Sequence, residues 1–229
     1  NEELLKINAE LDSFVYSASH DLRAPIASLL GLVEVARLEK DNASLERLLD
    51  MQKRSLLKLD NFIHDIVSYS RNNRLDIQVE PIDFITLIEG IFEQLYFMDH
   101  LGYLDCRIVV TPNLNFHSDS KRITVVLNNL ISNAIKYADI SKPDPYVEVR
   151  VDKSEEGVTI CVADNGDGID EEHLPRIFDM FYRATQKSSG SGIGLYIVNE
   201  ITQKMKGTIR VESIKGAGSK FFVSLPDLN

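Results

Sequence analysis

The sequence of 229 residues has no tryptophan, only two cysteines and no long hydrophobic run. Cys106 and Cys161 lie in apolar, strand-like segments and are too few for a disulfide framework, which indicates a reducing compartment. No stretch approaches the ~18 consecutive apolar residues that a membrane-spanning helix needs, and the N-terminus has no signal-peptide pattern. We therefore expect a cytoplasmic location and no direct membrane contact from this part of the chain, whatever anchors a longer protein.

Positive charge is also in deficit. The chain has 25 Lys and Arg against 35 Asp and Glu, a formal net charge of -10. Nucleic-acid binding draws much of its free energy from neutralising phosphates, so this balance excludes nucleic acid as a partner. A small phosphate ligand needs local donors or a metal ion instead. The 44% hydrophobic and 26% charged composition is typical of globular proteins and excludes a disordered chain.

The first 74 residues have a helical pattern. Apolar residues recur at steps of three and four from Leu4 to Leu38, which predicts one amphipathic helix of about ten turns. The segment Glu39–Ser44 contains turn formers, with Asn42 or Ser44 as candidate helix caps. A second apolar stripe then runs from Leu45 to Ile66, so the segment is predicted to be an antiparallel helical hairpin.

Two helices cannot bury both of their apolar faces against each other. We therefore expect a homodimer through residues 1–74 that forms a four-helix bundle, the alternative being that the hairpin packs on the rest of the chain. Polar residues from Tyr69 to Pro81 predict a linker with a short strand. The domain boundary is placed between residues 74 and 75, which gives domains of residues 1–74 and 75–229.

Residues 75–229 alternate helices with strands and hold eleven of the twelve glycines. Helices are predicted at Asp83–Met98 and Ser120–Ala138. Strands are predicted at Arg107–Val110, Tyr146–Val151, Val158–Ala163, Thr208–Ile214 and Lys220–Leu225. Short glycine-containing turns between the last strands favour antiparallel pairing. The expected fold class is α+β: a helical hairpin followed by an α/β sandwich with a mixed, mainly antiparallel sheet.

A histidine–aspartate pair lies within the first helix, in the motif SHDLRAP at Ser19–Pro25. His20 lies about 200° around the helix from Leu22, at ~100° per residue, so it is predicted to project away from the apolar stripe. Pro25 removes a helical hydrogen bond at a cost of roughly 3 kcal/mol. An exposed helical histidine is ordinarily a surface residue, but a proline one turn after His20 and Asp21 suggests a bend kept for a function.

Two polar clusters follow in the second domain. Asn129, Asn133 and Lys136 share one side of a predicted helix, away from its apolar positions. The run DNGDGI at Asp164–Ile169 directly follows an apolar strand. It does not match a calcium-binding EF-hand loop, because a glycine or an isoleucine stands where an oxygen ligand is needed. For the asparagines a solvated helix face, and for the loop a simple turn, are the alternatives.

The run SGSGIGL at Ser189–Leu195 opens another helix with apolar periodicity. Gly190, Gly192 and Gly194 allow backbone N–H groups to approach an anion, and the N-terminus of a helix favours negative charge. The spacing matches neither the Walker loop nor the dinucleotide fingerprint. This pattern alone is a weak indication of an anion site.

In this order, the motifs resemble those of the sensor histidine kinases of two-component systems. SHDLRAP is similar to the H box, LNNLISNAIKY to the N box, DNGDGI and GSGIGL to the two glycine boxes, and FDMFYR to the F box. The resemblance implies a dimerising histidine-phosphotransfer hairpin followed by a Bergerat-type ATP-binding domain. It also implies an ATP-dependent kinase that phosphorylates its own histidine and passes the group to an aspartate of a response-regulator receiver domain.

The resemblance also implies residue roles. His20 is the implied phospho-acceptor and Asp21 the carboxylate that orients and deprotonates it, while Asn133 is the implied Mg²⁺ ligand with Asn129 beside it. The other implied ATP contacts are Lys136 to phosphate, Tyr137 as the wall of the nucleotide site, Asp164 to the adenine amino group, Gly166 and Gly168 close to the base, Gly190, Gly192 and Gly194 around the phosphates, and Arg183 near the transferred phosphoryl group. The stretch from Asp170 to Ser189 is the implied ATP lid.

One position departs from the family pattern. Members with strong phosphatase activity usually carry Thr or Asn three residues after the acidic neighbour of the histidine, whereas this chain has Ala24. We therefore expect weak phosphatase activity. Two alternatives are a dimeric ATP-binding adaptor without phosphotransfer and a chaperone-like or gyrase-like ATPase module. The complete set of motif residues disfavours the first, and the His-Asp pair on a preceding hairpin disfavours the second.

Overall fold

The computed structural model describes residues 22–74, 76–98, 101–184 and 192–229. These residues fall into two compact units. One contains the described residues up to Asn73 together with Gly192 and Ile193, and the other contains the described residues from 74 to 184 and from 194 to 229. Within the described ranges, no helix combines the length and the apolar character needed to cross a membrane.

The first unit is a helical hairpin, as predicted. Helix α1 covers residues 22–38 of the described chain, and α2 runs from Asn42 to Arg74. The Ser44 N–H donates to Asp41 Oδ2 over 2.9 Å, so Asp41 caps α2 and the predicted cap at Asn42 or Ser44 is wrong. The linker predicted from Tyr69 is also wrong at its start, because α2 stays helical to Arg74. Loss of apolar periodicity marks the end of burial, which need not be the end of a helix.

Most of the buried and partly buried residues of the hairpin follow a seven-residue repeat. They are Leu22, Pro25, Leu29, Leu32 and Ala36 on α1, and Leu45, Leu48, Gln52, Ser55, Leu59, Phe62 and Ile66 on α2. Alternating steps of three and four residues are typical of helices that pack side by side as in a coiled coil. Beside this repeat lies a second apolar set that we name the flanking stripe: Ile26, Leu30 and Val33 on α1, and Leu49, Leu56 and Ile63 on α2. The flanking stripe is exposed.

The second unit is built on a five-stranded sheet. Its strands are β2 (Asp105–Val110), β4 (Tyr146–Lys153), β5 (Gly157–Asp164), β6 (Thr208–Ile214) and β7 (Gly218–Pro226), in the order β2-β4-β5-β7-β6. Only the β2–β4 pair is parallel. The short strands β1 (Glu80–Pro81) and β3 (His117–Ser118) form a separate antiparallel pair. The mixed, mainly antiparallel sheet is therefore confirmed.

Helices cover one face of this sheet. They are α3 (Phe84–Gln94), α4 (Ser120–Lys136) and α5 (Gly194–Lys204), accompanied by short 3₁₀ helices at Leu101–Tyr103 and Leu174–Arg176. Alternate residues of β4 and β5 are buried, including Val149 and Ile160, because successive side chains of a strand point to opposite faces. Helix α4 packs on these two strands and also contacts α3 and α5. It therefore forms the centre of the core.

The start of α4 is fixed by a buried ion pair. Asp119 is the N-cap, accepting a hydrogen bond from the Arg122 N–H over 3.0 Å, and its carboxylate also pairs with the Arg122 guanidinium. The Gln78 N–H donates to Asp119 Oδ2 over 3.1 Å, and Arg122 Nη1 donates to the Asp76 carbonyl over 3.2 Å. The pair thus satisfies backbone groups of the segment before β1, and it sets the position at which α4 begins.

Candidate functional site

The polar side of α4 carries the two predicted asparagines one turn apart. Asn129 Nδ2 donates to the Val125 carbonyl over 2.8 Å, which leaves its Oδ1 directed toward the first residue of α5. A Cβ atom on Gly194 would lie 2.6 Å from that oxygen, so a larger residue here would require the Asn129 side chain to move. Asn133 is half-buried, and its carboxamide has no hydrogen-bond partner among the residues that the structure describes. The Asn129 oxygen therefore lies beside the N-terminus of α5, and Asn133 stands one turn further along the same side of α4.

The end of α4 carries the next two predicted residues. Lys136 Nζ lies 4.7 Å from the centroid of the Tyr137 ring, a cation–π contact. Tyr137 is the C-cap of α4, and its carbonyl accepts a hydrogen bond from the Asp167 N–H over 2.9 Å. The Tyr137 ring is half-exposed and can contact a ligand, while the Tyr137 backbone joins α4 to the loop that follows β5.

Asp164 is the last residue of β5 and is buried, with 8% of its surface exposed. The Gly166 N–H donates to its Oδ1 over 2.8 Å. Burial raises the pKa of Asp164 from 3.8 to about 6, while hydrogen bonds from the Gly166 and Ser219 N–H groups and the charge of Lys142 lower it, and Asp167 raises it further. Asp164 is ionised at neutral pH and can accept a hydrogen bond from an N–H group of a ligand.

Gly166 and Gly168 are needed in this loop for a structural reason that the sequence did not suggest. A Cβ atom on Gly166 would overlap the Tyr137 carbonyl oxygen, and one on Gly168 would overlap the Ile214 carbonyl oxygen. Gly168 also has a φ of 62°, a conformation that favours glycine. Both residues thus allow the loop to lie directly against neighbouring backbone, whereas the interpretation from sequence assigned them only to contact with a base.

Several residues that hold this loop were missed by the sequence interpretation. Lys142 Nζ donates to three backbone carbonyls, those of Asn165, Gly166 and Gly216. Ser213 Oγ accepts from the Ile169 N–H over 2.8 Å. These side chains lie 20 to 50 positions from the loop in sequence and belong to no motif. Of the residues that hold the loop, only Asn165 could have been found from the sequence, because it lies inside the motif DNGDGI.

The described part of the predicted lid begins with an ordered segment. His173 Nδ1 and Tyr182 Oη lie 2.8 Å apart, and the Arg176 guanidinium lies 4.4 Å from the centroid of the Tyr182 ring. Phe181 has a φ of 63°, which is uncommon for a bulky residue. Arg183 is exposed at the end of this segment. The contacts tie the two ends of the segment together.

Of the remaining predicted site residues, the structure describes some and not others. Gly192 has a φ of 71°, and Gly194 is the first residue of α5. His20, Asp21 and Gly190 lie outside the described residues. No group of three or more His, Cys, Asp or Glu side chains that could hold a metal ion occurs in the described ranges. The amide oxygen of Asn133 together with oxygens of a ligand forms a donor set that suits Mg²⁺.

The buried charge of Asp164 yields a stability prediction. The folded-state pKa is above the unfolded value, so this group favours folding below pH 4 and loses that contribution as the pH rises through about 6. Asp164→Asn should therefore raise the free energy of unfolding of the ligand-free protein by about 1–3 kcal/mol at pH 7.5, with the gain shrinking as the pH falls toward 4. Urea unfolding at several pH values measures this.

The exposed Asp152, on β4, provides the control. Asp152→Asn should change the free energy of unfolding by less than about 0.5 kcal/mol at every pH. A destabilised Asp164→Asn protein at pH 7.5 would contradict the view that burial of the charge dominates at this position.

Two family descriptions match the chain in succession. Residues 10–74 match the His Kinase A (phospho-acceptor) domain, and residues 118–229 match the histidine kinase-, DNA gyrase B-, and HSP90-like ATPase. The first match covers the hairpin and the second begins at β3, so it includes the whole site on α4, β5 and α5.

Curated relatives and solved structures agree with these matches. The methanogenesis regulatory histidine kinase FilI of Methanothrix harundinacea is 31% identical over 225 residues, covering 96% of this chain and 25% of the relative. The sensor protein kinase WalK of Staphylococcus saprophyticus is 31% identical over 234 residues, covering 98% of this chain and 38% of the relative. The chain thus spans a quarter to two-fifths of the length of these relatives.

Among solved structures, the histidine kinase AdeS of Acinetobacter baumannii superposes with a TM-score of 0.71 at 25% identity, covering 92% of this chain and 98% of that one. The structure of histidine kinase ThkA in complex with response regulator protein TrrA gives a TM-score of 0.75 at 22% identity over 99% of this chain and 64% of that chain, a likeness of fold. With both family domains in the order that the motifs predicted, the chain belongs to the sensor histidine kinases.

Proposed function

We propose that this chain is the core of an ATP-dependent protein histidine kinase that phosphorylates itself on His20 and then donates the phosphoryl group to an aspartate of a response-regulator receiver domain. The observation that carries the proposal is the polar side of α4, where Asn129 Oδ1 lies at the N-terminus of α5 and Asn133, one turn further on, has no side-chain hydrogen bond to the described residues. This arrangement combines metal-ligand oxygens with an anion-binding helix end. Asp164, buried at the end of β5, adds an acceptor suited to the amino group of adenine.

In the proposed complex, the adenine amino group donates to the Asp164 carboxylate and the base lies against the Tyr137 ring. Gly190, Gly192 and Gly194 surround the phosphates with backbone N–H groups, and Lys136 adds positive charge. Asn133, with Asn129 beside it, would hold Mg²⁺, which neutralises charge on the phosphates when bound. Arg183 would approach the phosphoryl group in transfer. Local donors of this kind compensate for the net charge of -10.

The chemical step uses a neutral imidazole. Attack requires the neutral form of the ring, in which one nitrogen carries no proton. The unprotonated ring nitrogen attacks the γ-phosphorus, a nitrogen–phosphorus bond forms, and the bond to the departing ADP oxygen breaks. Asp21 accepts the proton from the other ring nitrogen and fixes the orientation of the ring. Transfer to the receiver aspartate breaks the nitrogen–phosphorus bond and forms an acyl phosphate.

Two other functions fit the sequence less well. A chaperone-like or gyrase-like ATPase module has no use for a phospho-acceptor domain, and residues 10–74 match that domain. An ATP-binding adaptor without phosphotransfer has no use for the His20–Asp21 pair, which this chain retains with the rest of the motif residues. Neither alternative is favoured.

Labelling with γ-³²P-ATP tests the proposed activity. His20→Gln should abolish incorporation of label and leave ADP affinity within about twofold, because ADP lacks the phosphoryl group that His20 accepts in this proposal. The label on the unsubstituted protein should survive alkali and be lost in acid, as a phosphoramidate is. Acid-labile label on the His20→Gln protein would contradict the assignment.

Asn133→Asp serves as a second arm of the same assay. It keeps His20 but places a negative charge beside the phosphates of the nucleotide, so labelling should fall about tenfold or more. A labelling rate equal to that of the unsubstituted protein would remove Asn133 from the proposed metal site.

We also propose that the hairpin forms a homodimer through the flanking stripe. The stripe continues on both helices, one position after each of several partly buried residues, and a symmetric partner would cover it. Leu56 lies on the stripe with 54% exposed, and Leu57 has 53% exposed but lies about 100° further around the helix. The neighbouring leucines are therefore matched for residue type and exposure.

Substitution of this leucine pair tests the dimer. Leu56→Glu should shift the mass measured by light scattering from two chains toward one, because a charge would be buried in the proposed interface. Leu57→Glu should leave the mass unchanged. Equal masses for the two variants would exclude the flanking stripe as the dimer contact.

We further propose that phosphatase activity toward the phosphorylated partner is weak. Ala24 is exposed on α1 and has no polar group to position a hydrolytic water. With ADP present, dephosphorylation of the receiver domain should be slow, and Ala24→Thr should accelerate it at least fivefold by supplying a hydroxyl group. Fast dephosphorylation by the unsubstituted chain, lost on Asp21→Ala, would contradict this proposal.

A further inference from the structure

Lys142 lies in the loop between α4 and β4 and makes an unusual set of contacts. Its ammonium group donates to the carbonyls of Asn165, Gly166 (2.9 Å) and Gly216 (2.8 Å). An ammonium group has three donors and no acceptor, so three carbonyls use its full capacity. The first two carbonyls belong to the loop after β5, and the third belongs to the turn between β6 and β7. One side chain therefore links two loops.

Three carbonyl oxygens that point at one place repel each other, and a cation is needed to bring them together. A neutral side chain of similar length can satisfy at most some of them, and methionine can satisfy none. The position of Lys142 is itself fixed. Its own N–H donates to the Asp139 carbonyl over 3.2 Å, and the Asp139 carboxylate accepts hydrogen bonds from both the N–H and the hydroxyl of Ser141. The lysine is thus anchored from its own loop.

The loop that Lys142 holds is the one that shapes the surroundings of Asp164. The Gly166 N–H donates to the Asp164 carboxylate, and the Gly216 N–H donates to the Asp167 carbonyl over 2.7 Å. Asn165 is held from the opposite side, since its Oδ1 accepts from the Tyr146 N–H over 3.0 Å and its Nδ2 donates to the Asp144 carbonyl over 2.8 Å. Without the lysine, the carbonyl side of this loop would lose its only charged partner among the described residues.

We propose that Lys142 is a positioning residue for base recognition: by joining the carbonyls of Asn165, Gly166 and Gly216, it fixes the loop that presents Asp164 to the adenine amino group. This inference rests on the proposed ATP-dependent function, although its test uses nucleotide binding alone. Lys142 touches neither the base nor the phosphates in this proposal. Its positive charge also favours the ionised form of Asp164, which is the form that accepts a hydrogen bond from an amino group.

The experiment compares ADP and GDP binding by titration calorimetry in three variants of the chain. Lys142→Met should weaken ADP binding about tenfold or more, since charge-assisted hydrogen bonds that order the loop are lost. It should also lower the preference for ADP over GDP, because guanine has no amino group at the position that Asp164 reads. Lys142→Arg keeps the cation and several donors and should restore at least part of both values. Lys153→Met, at the exposed end of β4, is the matched control and should change neither.

Kinetics provide a second readout. For Lys142→Met, the KM for ATP in autophosphorylation should rise about tenfold, while kcat at saturating ATP stays within about threefold, because the reacting groups are untouched. A loss confined to kcat would overturn a role in base recognition. So would ADP affinity and base preference equal to those of the Lys153→Met control.

Loss of folding is separated from loss of positioning by far-UV circular dichroism of each variant. If Lys142→Met does not fold, Lys142→Gln takes its place, because its amide can keep one of the three hydrogen bonds. The base preference should then fall about fivefold, and an unchanged preference would overturn the proposal. If ADP binding behaves as expected while His20 is never labelled, the kinase proposal fails and the role of Lys142 in adenine binding stands.

Discussion

The site depends on keeping one carboxylate ionised where it is almost removed from water. Burial raises the pKa of Asp164, whereas hydrogen bonds from the N–H groups of Gly166 and Ser219 and the positive charge of Lys142 lower it. Each of these partners comes from a different part of the chain, so the carboxylate determines how the loop after β5, the β6–β7 hairpin and the loop after α4 must meet. The glycines of the loop follow from the same constraint, because only residues without Cβ allow backbones to approach this closely.

Helix α4 joins this constraint to the rest of the fold. Its apolar side forms the centre of the core, and its polar side carries Asn129 and Asn133. The buried pair of Asp119 and Arg122 fixes where the helix begins, and Tyr137 fixes where it ends, through the hydrogen bond from the Asp167 N–H. Because α4 connects these ends, it carries the two amides between the buried Asp119–Arg122 pair and the loop that follows β5. The packing of α4 in the core therefore also determines where its site residues lie.

The helices of the hairpin bury only part of their apolar surface within the unit. A seven-residue repeat gives each helix one stripe that is partly buried within the unit, and the flanking stripe beside it remains exposed. A row of exposed apolar side chains is costly for a protein in water, and the cost is removed when a second copy covers them. The apolar pattern of this segment therefore encodes more contact surface than one hairpin can use.

Much of this protein was predictable from its sequence, because periodicity reports directly which side of an element is buried. The hairpin, the mixed sheet, the type of every major element and the histidine kinase family all followed from short-range patterns and motif order. The end of α2 did not, since polar residues such as those from Tyr69 to Arg74 remain compatible with a helix. The cap at Asp41, the backbone contacts of Gly166 and Gly168 and the three carbonyls on Lys142 were also beyond the sequence. They depend on which loops meet in space, and residues that meet only after folding leave no spacing in the chain from which to predict them.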